Sequence, residues 1–264
     1  MEVVLTRKTP SENGWIYAIN KLILLHMESS LLLEDKAAQR LAAIRATIDR
    51  AAHQAGRKPE EIRLVAVSKT HGAELVRAVA DAGQRAFGES RVQEAAAKIP
   101  SCPGSLEWHF IGHLQKNKIR KALPLFDYFH GIDSLELAED LNRIADETGQ
   151  HPKILLEVNT SGESSKFGFR PDQIAAQIED LLALPRLEIL GFMTMAPVTP
   201  KPEMARPYFS RLRELRDEIE QAAGISLPEL SMGMSGDYEQ AILEGSTMVR
   251  VGTALFGDRG KTGE

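Results

Sequence analysis

Apolar residues recur along this chain in two alternating rhythms. Over residues 31–55 they follow helical spacing, with Leu41, Ile44 and Ile48 on one face and Gly56 as a stop. IRLVAVS (62–68) comes next, a short continuous apolar run that reads as a strand buried on both faces. A helix is predicted over 73–82, with Leu75, Val76 and Val79 on one stripe and Gly83 closing it. The alternation then repeats. RAFG (85–88) precedes a helix over 91–99, and EWHFIG (107–112) precedes one over 115–123. YFHGI (128–132) leads into 134–148, capped by Ser134 and stopped by Gly149. KILLEVN (153–159) is followed by a helix over 171–182, which Pro171 suits as a first-turn residue. LEILGFM (187–193) precedes a long charged helix over 203–223, ELSMGM (229–234) a short one over 238–244, and TMVRVG (247–252) is the last strand.

Eight short apolar strands, each followed by a helical segment or the chain end, predict an α/β fold, a single (β/α)8 TIM barrel. The helix ahead of the first strand would close the ring. A doubly wound open sheet is the alternative, but no GxGxxG turn follows the first strand and no GxxxxGK[ST] loop occurs anywhere. Residues 1–26 carry no clear period and read as an N-terminal extension, either an arm of its own or the product of a start upstream of Met27. The barrel domain is then 27–264.

The bulk numbers narrow the class of partner. The chain has 264 residues, 32 basic and 37 acidic, for a formal net charge of -5, which argues against a binder dominated by nucleic-acid phosphates. No apolar run is long enough to span a membrane. The segment 15–27 is broken by Asn20, Lys21 and His26 and lacks a signal-peptide cleavage pattern. The one cysteine, Cys102, lies between Pro100 and Pro103 and reads as a loop residue. It excludes an intrachain disulfide and points to a reducing, cytoplasmic setting. No long apolar stripe asks for a partner, so a monomer is expected.

In a parallel barrel, chemistry sits at the C-terminal ends of the strands. Lys69 ends the first, in VAVSKT. Burying an ammonium is costly, and an amine so placed is a nucleophile fit for an imine. Alone it reads rather as a lysine snorkelling to the rim. The last two strands shift that balance. In VRVGT, Arg250 shares a face with Met248 and Gly252, while Val249 and Val251 take the other. Gly252 and Thr253 offer close backbone approach and a hydroxyl. SMGMSGD supplies Ser231, Gly233, Ser235 and Gly236. Small residues at the ends of strands 7 and 8 match the place where such barrels bind phosphate. His109 and His113 flank a glycine turn and read as structural hydrogen-bonding residues. No HExxH-type spacing suggests a metal. Lys166 is a second, weaker amine candidate in a polar loop.

VAVSKT, FGES with RVQE, WHFIGHLQKNK, NTSGE with SKFGF, LSMGMSGDYEQAI and GSTMVRVGTALFG, in this order, closely resemble the YggS/PROSC family of pyridoxal 5′-phosphate (PLP) homeostasis proteins. The resemblance spans about 31 to 258. It implies the barrel of the alanine racemase N-terminal domain, PLP as cofactor and Lys69 as the Schiff-base lysine. Arg250 would approach the pyridine nitrogen, and Gly252, Thr253 and Ser235 would bind the phosphate with Ser231, Met232 and Gly236 beside them. The family usually has Asn after FGE, where this chain has Ser90. An arginine at the ring nitrogen disfavours its protonation and weakens the ring as an electron sink. Racemases of this fold draw a second proton-transfer group from a further C-terminal domain, and little chain follows VRVGT here. The expected function is therefore a PLP carrier, not an enzyme, that holds the cofactor reversibly and hands it to apo PLP-dependent enzymes. A weakly active amino-acid racemase is the first alternative. A barrel binding another phosphate, with Lys69 only as an ion-pair partner, is the second.

Overall fold

The computed structural model describes residues 12–163 and 166–257 of the chain. The elements run α1 (Glu12–Gln54), β1 (Arg63–Val67), α2 (Ala73–Asp81), β2 (Ala86–Glu89), α3 (Val92–Lys98), β3 (Glu107–Phe110), α4 (Ile119–Ala122), β4 (Tyr128–Ile132) and α5 (Leu135–Thr148). They continue with β5 (Lys153–Glu157), α6 (Pro171–Leu182), β6 (Glu188–Met193), α7 (Arg206–Ala223), β7 (Glu229–Met234), α8 (Tyr238–Leu243), β8 (Met248–Val251) and α9 (Thr253–Phe256). The eight strands pair in sequence order, all parallel, and β8 closes on β1 in the register Arg63↔Met248 to Ala66↔Val251. The expected (β/α)8 barrel is therefore present.

Two elements depart from their sequence pattern. The first helix begins at Glu12, well before residue 31. Once 37–52 is docked on the barrel, each added residue gains a hydrogen bond at little entropic cost, and 15–31 holds no Gly or Pro to stop it. Residues 1–11, the rest of the expected extension, lie outside the described residues. The helix predicted over 115–123 is instead two 3-10 turns around the four-residue α4. Pro124 removes a donor there and disfavours helical backbone just before it.

Strand alternation divides the side chains between two cores. Met248 of β8 packs inside the barrel with Tyr128, Leu155 and Met193. Val249 and Val251 face outward into the layer shared with the helices. Leu41, Ile44 and Ile48 of α1 are buried in that outer layer, each contributing about 1.5–3 kcal/mol. α1 packs against α2 on one side and α8 and α9 on the other, closing the helical ring. At Gly191 (φ +154) a Cβ would lie 1.9 Å from the carbonyl oxygen of Glu229, so β6 can meet β7 only with glycine there. Among the described residues no helix is long and apolar enough to cross a membrane.

Candidate functional site

Lys69 follows β1 at the C-terminal mouth of the barrel. It is half-buried and, among the described residues, its amine has no hydrogen bond or ion pair. The corner that carries it is held from below. Ser68 is fully buried, and its hydroxyl donates to Glu89 Oε1 at 2.7 Å. Lys98 of α3 donates to the Ser68 carbonyl at 2.8 Å, to Glu89 Oε1 at 2.5 Å and to Glu94 Oε1 at 3.1 Å. The amide of Thr70 donates to Glu94. Thr70 adopts φ +68, left-handed backbone unusual for a β-branched residue. Lys69 thus stands on a strained corner clamped at the residues before and after it. Burial pushes the Glu89 carboxyl above the usual range, against the lowering effect of Lys98 and Ser68.

Across the mouth, the ends of β7 and β8 are tied together by Ser235. Its hydroxyl oxygen accepts from the amides of Gly252 (3.2 Å) and Ala254 (3.5 Å). The turn leading to it is shaped by Asp237, which accepts from the Met234 amide at 2.6 Å. Gly233 (φ +93) lets α8 approach, since a Cβ there would sit 2.6 Å from that of Ala241. At Gly252, by contrast, a Cβ would find Val67 at ordinary contact distance, 3.4 Å and beyond, so crowding by the barrel does not account for the glycine.

A cavity of about 270 Å³ joins these parts. Lys69, Thr70 and His71 line one side, and Ser235, Gly236, Arg250, Gly252 and Thr253 the other. Six of the eight residues expected at the site meet here. Ser231 and Met232 do not. Ser231 lies four residues before Ser235, inside β7, and is fully buried, its hydroxyl engaged by Arg250 and His130. Met232, next along the strand, points the opposite way into the outer core. Lys166 lines a separate, adjoining cavity of about 540 Å³ with Glu157, Asn159 and Phe167, and pairs with Glu163 at 3.4 Å. Another cavity, about 600 Å³, lies at the far end of the barrel around Arg45, Arg63, Arg85 and Glu107. It shares no residue with the Lys69 cavity.

Beneath the mouth the barrel interior is polar. Arg250 is buried, and its Nη2 donates to the Thr194 carbonyl at 2.9 Å and its Nη1 to Ser231 Oγ at 2.5 Å. Burial pulls its guanidinium down to about 10, opposed by Glu157 and Asp237. Glu157 is pushed up to about 7 by burial and by Asp133, against the pull of Arg250. His130 is 2.9 Å from Ser231 and 2.8 Å from His109, which is in turn 2.8 Å from Glu107. His113, nearer the rim, bonds Asp133 at 2.9 Å and stacks on Phe167 at 4.1 Å. Sequence patterns did not single out Lys98 or His130. Glu107 and His109 in EWHF, and Tyr128 and His130 in YFHGI, share a parity, and polar residues repeating at period two inside buried strands were the available signal.

The family model described as "Alanine racemase, N-terminal domain" matches residues 39–260, which fits a lysine-bearing barrel of this construction. Alanine racemase of Clostridium difficile, 18% identical, shares the fold with a TM-score of 0.68 over 86% of this chain and 58% of that one. Much nearer are proteins named "Pyridoxal phosphate homeostasis protein". The one from Aquifex aeolicus is 41% identical over 224 residues, covering 84% of this chain and 98% of the relative. The one from Escherichia coli (strain K12) is 42% identical over 234 residues, covering 84% and 96%. The structure of PipY from Synechococcus elongatus with PLP bound is 41% identical, with a TM-score of 0.74 over 84% of this chain and all of that one. This chain belongs to the pyridoxal phosphate homeostasis protein family within the alanine racemase N-terminal class.

Proposed function

We propose that this protein binds PLP in the Lys69 cavity and serves PLP homeostasis, holding the cofactor as a Schiff base on Lys69. The observation that carries this reading is the donor set of one cavity. An amine without a partner among the described residues, at the end of β1, faces amides, hydroxyls and a buried guanidinium from the ends of β7 and β8. That set matches the aldehyde, the phosphate and the ring nitrogen of PLP. Lys69 suits the aldehyde. Ser235, Gly236, Gly252 and Thr253 suit the phosphate. Arg250 suits the ring nitrogen. When bound, the cofactor supplies an electrophilic aldehyde and a conjugated ring. The named homeostasis relatives and the PLP-bound PipY structure support the same cofactor.

The protein's own contribution is retention. The clamped corner at Ser68 and Thr70 presents the Lys69 amine, and Arg250 keeps a positive charge against the ring side of the cavity. Among the described residues no tyrosine lines this cavity to act as a second proton donor. A carrier that exchanges PLP with apo PLP-dependent enzymes, rather than a dedicated enzyme, is the function this arrangement supports. The cell compartment that goes with it is the cytoplasm.

The test is an absorbance spectrum with added PLP, taken before and after borohydride, followed by peptide mapping. The expected result is a visible band that borohydride abolishes, with the reduced label on the peptide holding Lys69. A label on Lys166 alone, or no band, overturns the assignment. Lys69-dependent α-deuterium exchange of amino acids at useful rates overturns the non-enzyme reading.

A further inference from the structure

Five polar groups inside the barrel form one unbroken file. Arg250 Nη1 is 2.5 Å from Ser231 Oγ, Ser231 Oγ 2.9 Å from His130 Nδ1, His130 Nε2 2.8 Å from His109 Nδ1, and His109 Nε2 2.8 Å from Glu107 Oε1. Each link joins a different strand to the next except the last, so the file crosses the interior from β8 through β7, β4 and β3. Its two ends differ chemically. A guanidinium can only donate, and an ionised carboxylate can only accept.

Those ends leave one arrangement of protons. Glu107 accepts from His109 Nε2, which leaves each neutral ring with a bare Nδ1, so Ser231 accepts from Arg250 and donates its hydroxyl to His130 Nδ1. His130 then donates from Nε2 to His109 Nδ1, and His109 donates from Nε2 to Glu107. Both rings are neutral, and each carries its proton on Nε2. The reverse arrangement would set the bare Nε2 of His109 against the carboxylate of Glu107, two acceptors 2.8 Å apart, or require a buried imidazolium. Burial opposes the imidazolium, holding His109 below its ordinary range and His130 well below it. The bond from His109 holds Glu107 below the usual carboxylate range, keeping the acceptor end ionised.

We propose that Ser231, His130, His109 and Glu107 are positioning residues for Arg250, a one-way hydrogen-bond chain that fixes the guanidinium against the ring side of the PLP cavity. The proposal rests on the PLP reading above. Without the chain, Arg250 keeps, among the described residues, only its bond to the Thr194 carbonyl, a single bond about which the fork can swing. With it, both terminal nitrogens are engaged and the charge has one place to be. The chain also explains why a serine, two histidines and a glutamate occupy inward positions that apolar residues would ordinarily fill in such a barrel.

Two measurements test it. In the PLP-free protein, histidine 15N–1H correlation spectra should show His109 and His130 as neutral Nε2–H tautomers from pH 6 to 8. An Nδ1–H tautomer, or titration of either ring in that window, overturns the chain. In the PLP-loaded protein, Ser231→Ala and His130→Phe should each weaken PLP about tenfold or more and shift the visible band or its pH midpoint. Ser231→Ala/His130→Phe together should be no weaker than the worse single, because either cut already frees Arg250. Leu155→Val, an interior change outside the chain, should leave the band unmoved. Losses that multiply, or variants that behave like Leu155→Val, reduce the chain to a barrel support. If the wild type forms no band, the positioning role falls with the PLP reading, while the tautomer spectra still report the chain itself.

Discussion

Nζ of Lys98 donates to the carbonyl of Ser68 at 2.8 Å, so a lysine on α3 holds the backbone one residue before Lys69. The same ammonium sits 2.5 Å from the fully buried Glu89, whose other oxygen, Oε2, has no partner among the described residues. Removing Lys98 therefore strips a carboxylate that cannot reach water. Lys98→Met should lower unfolding stability by about 3–5 kcal/mol, read by urea denaturation. Lys98→Met/Glu89→Leu should recover most of that loss, since no stranded charge remains. Equal instability in the double variant would mean that the Ser68 corner, and not the charge, dominates.

Lys69 has the opposite character. Among the described residues its amine has no partner to lose, so Lys69→Ala should change stability by no more than about 0.5 kcal/mol while abolishing the PLP band and the borohydride label. A large fall in melting temperature of the PLP-free variant would show that Lys69 is a structural residue.

Glu157 predicts a pH dependence. Its folded value, about 7, lies above the ordinary 4.5. Between those values the folded state binds more protons than the unfolded one, so this residue makes stability fall as pH rises from about 4.5 to about 7, and the loss persists above. The full effect is on the order of 3 kcal/mol. Glu157→Gln should flatten that part of the profile and leave the PLP-free protein more stable than wild type at pH 8. Denaturation curves across this range check it, and parallel profiles for the two proteins would refute it.

Two glycines of SMGMSGD should part ways. Gly233→Ala forces a Cβ into Ala241 at a left-handed φ of +93 and should cost about 2 kcal/mol or more. A Cβ on Gly236 meets nothing within 4 Å, so Gly236→Ala should leave stability within about 0.5 kcal/mol. Any effect of the second change should appear in PLP affinity, since Gly236 lines the cavity. Comparable destabilisation by both would contradict this division.

The order of strands and helices, the barrel and the lysine at the end of β1 were legible in the chain alone. They depend on local periodicity and on the rule that parallel strands point their C-terminal ends to one mouth. Arg250 and Gly252 sharing a face likewise follows from strand alternation, and the motif resemblance led to the same cavity. Depth and partnership were not legible. Ser231 and Ser235 are four residues apart in one glycine-serine stretch, yet one serves the interior and the other the rim, because where β7 ends is settled by the turn that Asp237 closes. Glu107, His109, His130, Ser231 and Arg250 come from four strands across more than half the chain, and nothing local to any one of them says that it will meet the others. Barrel closure decides that, by placing β3, β4, β7 and β8 around one interior where these polar groups come within bonding distance of each other.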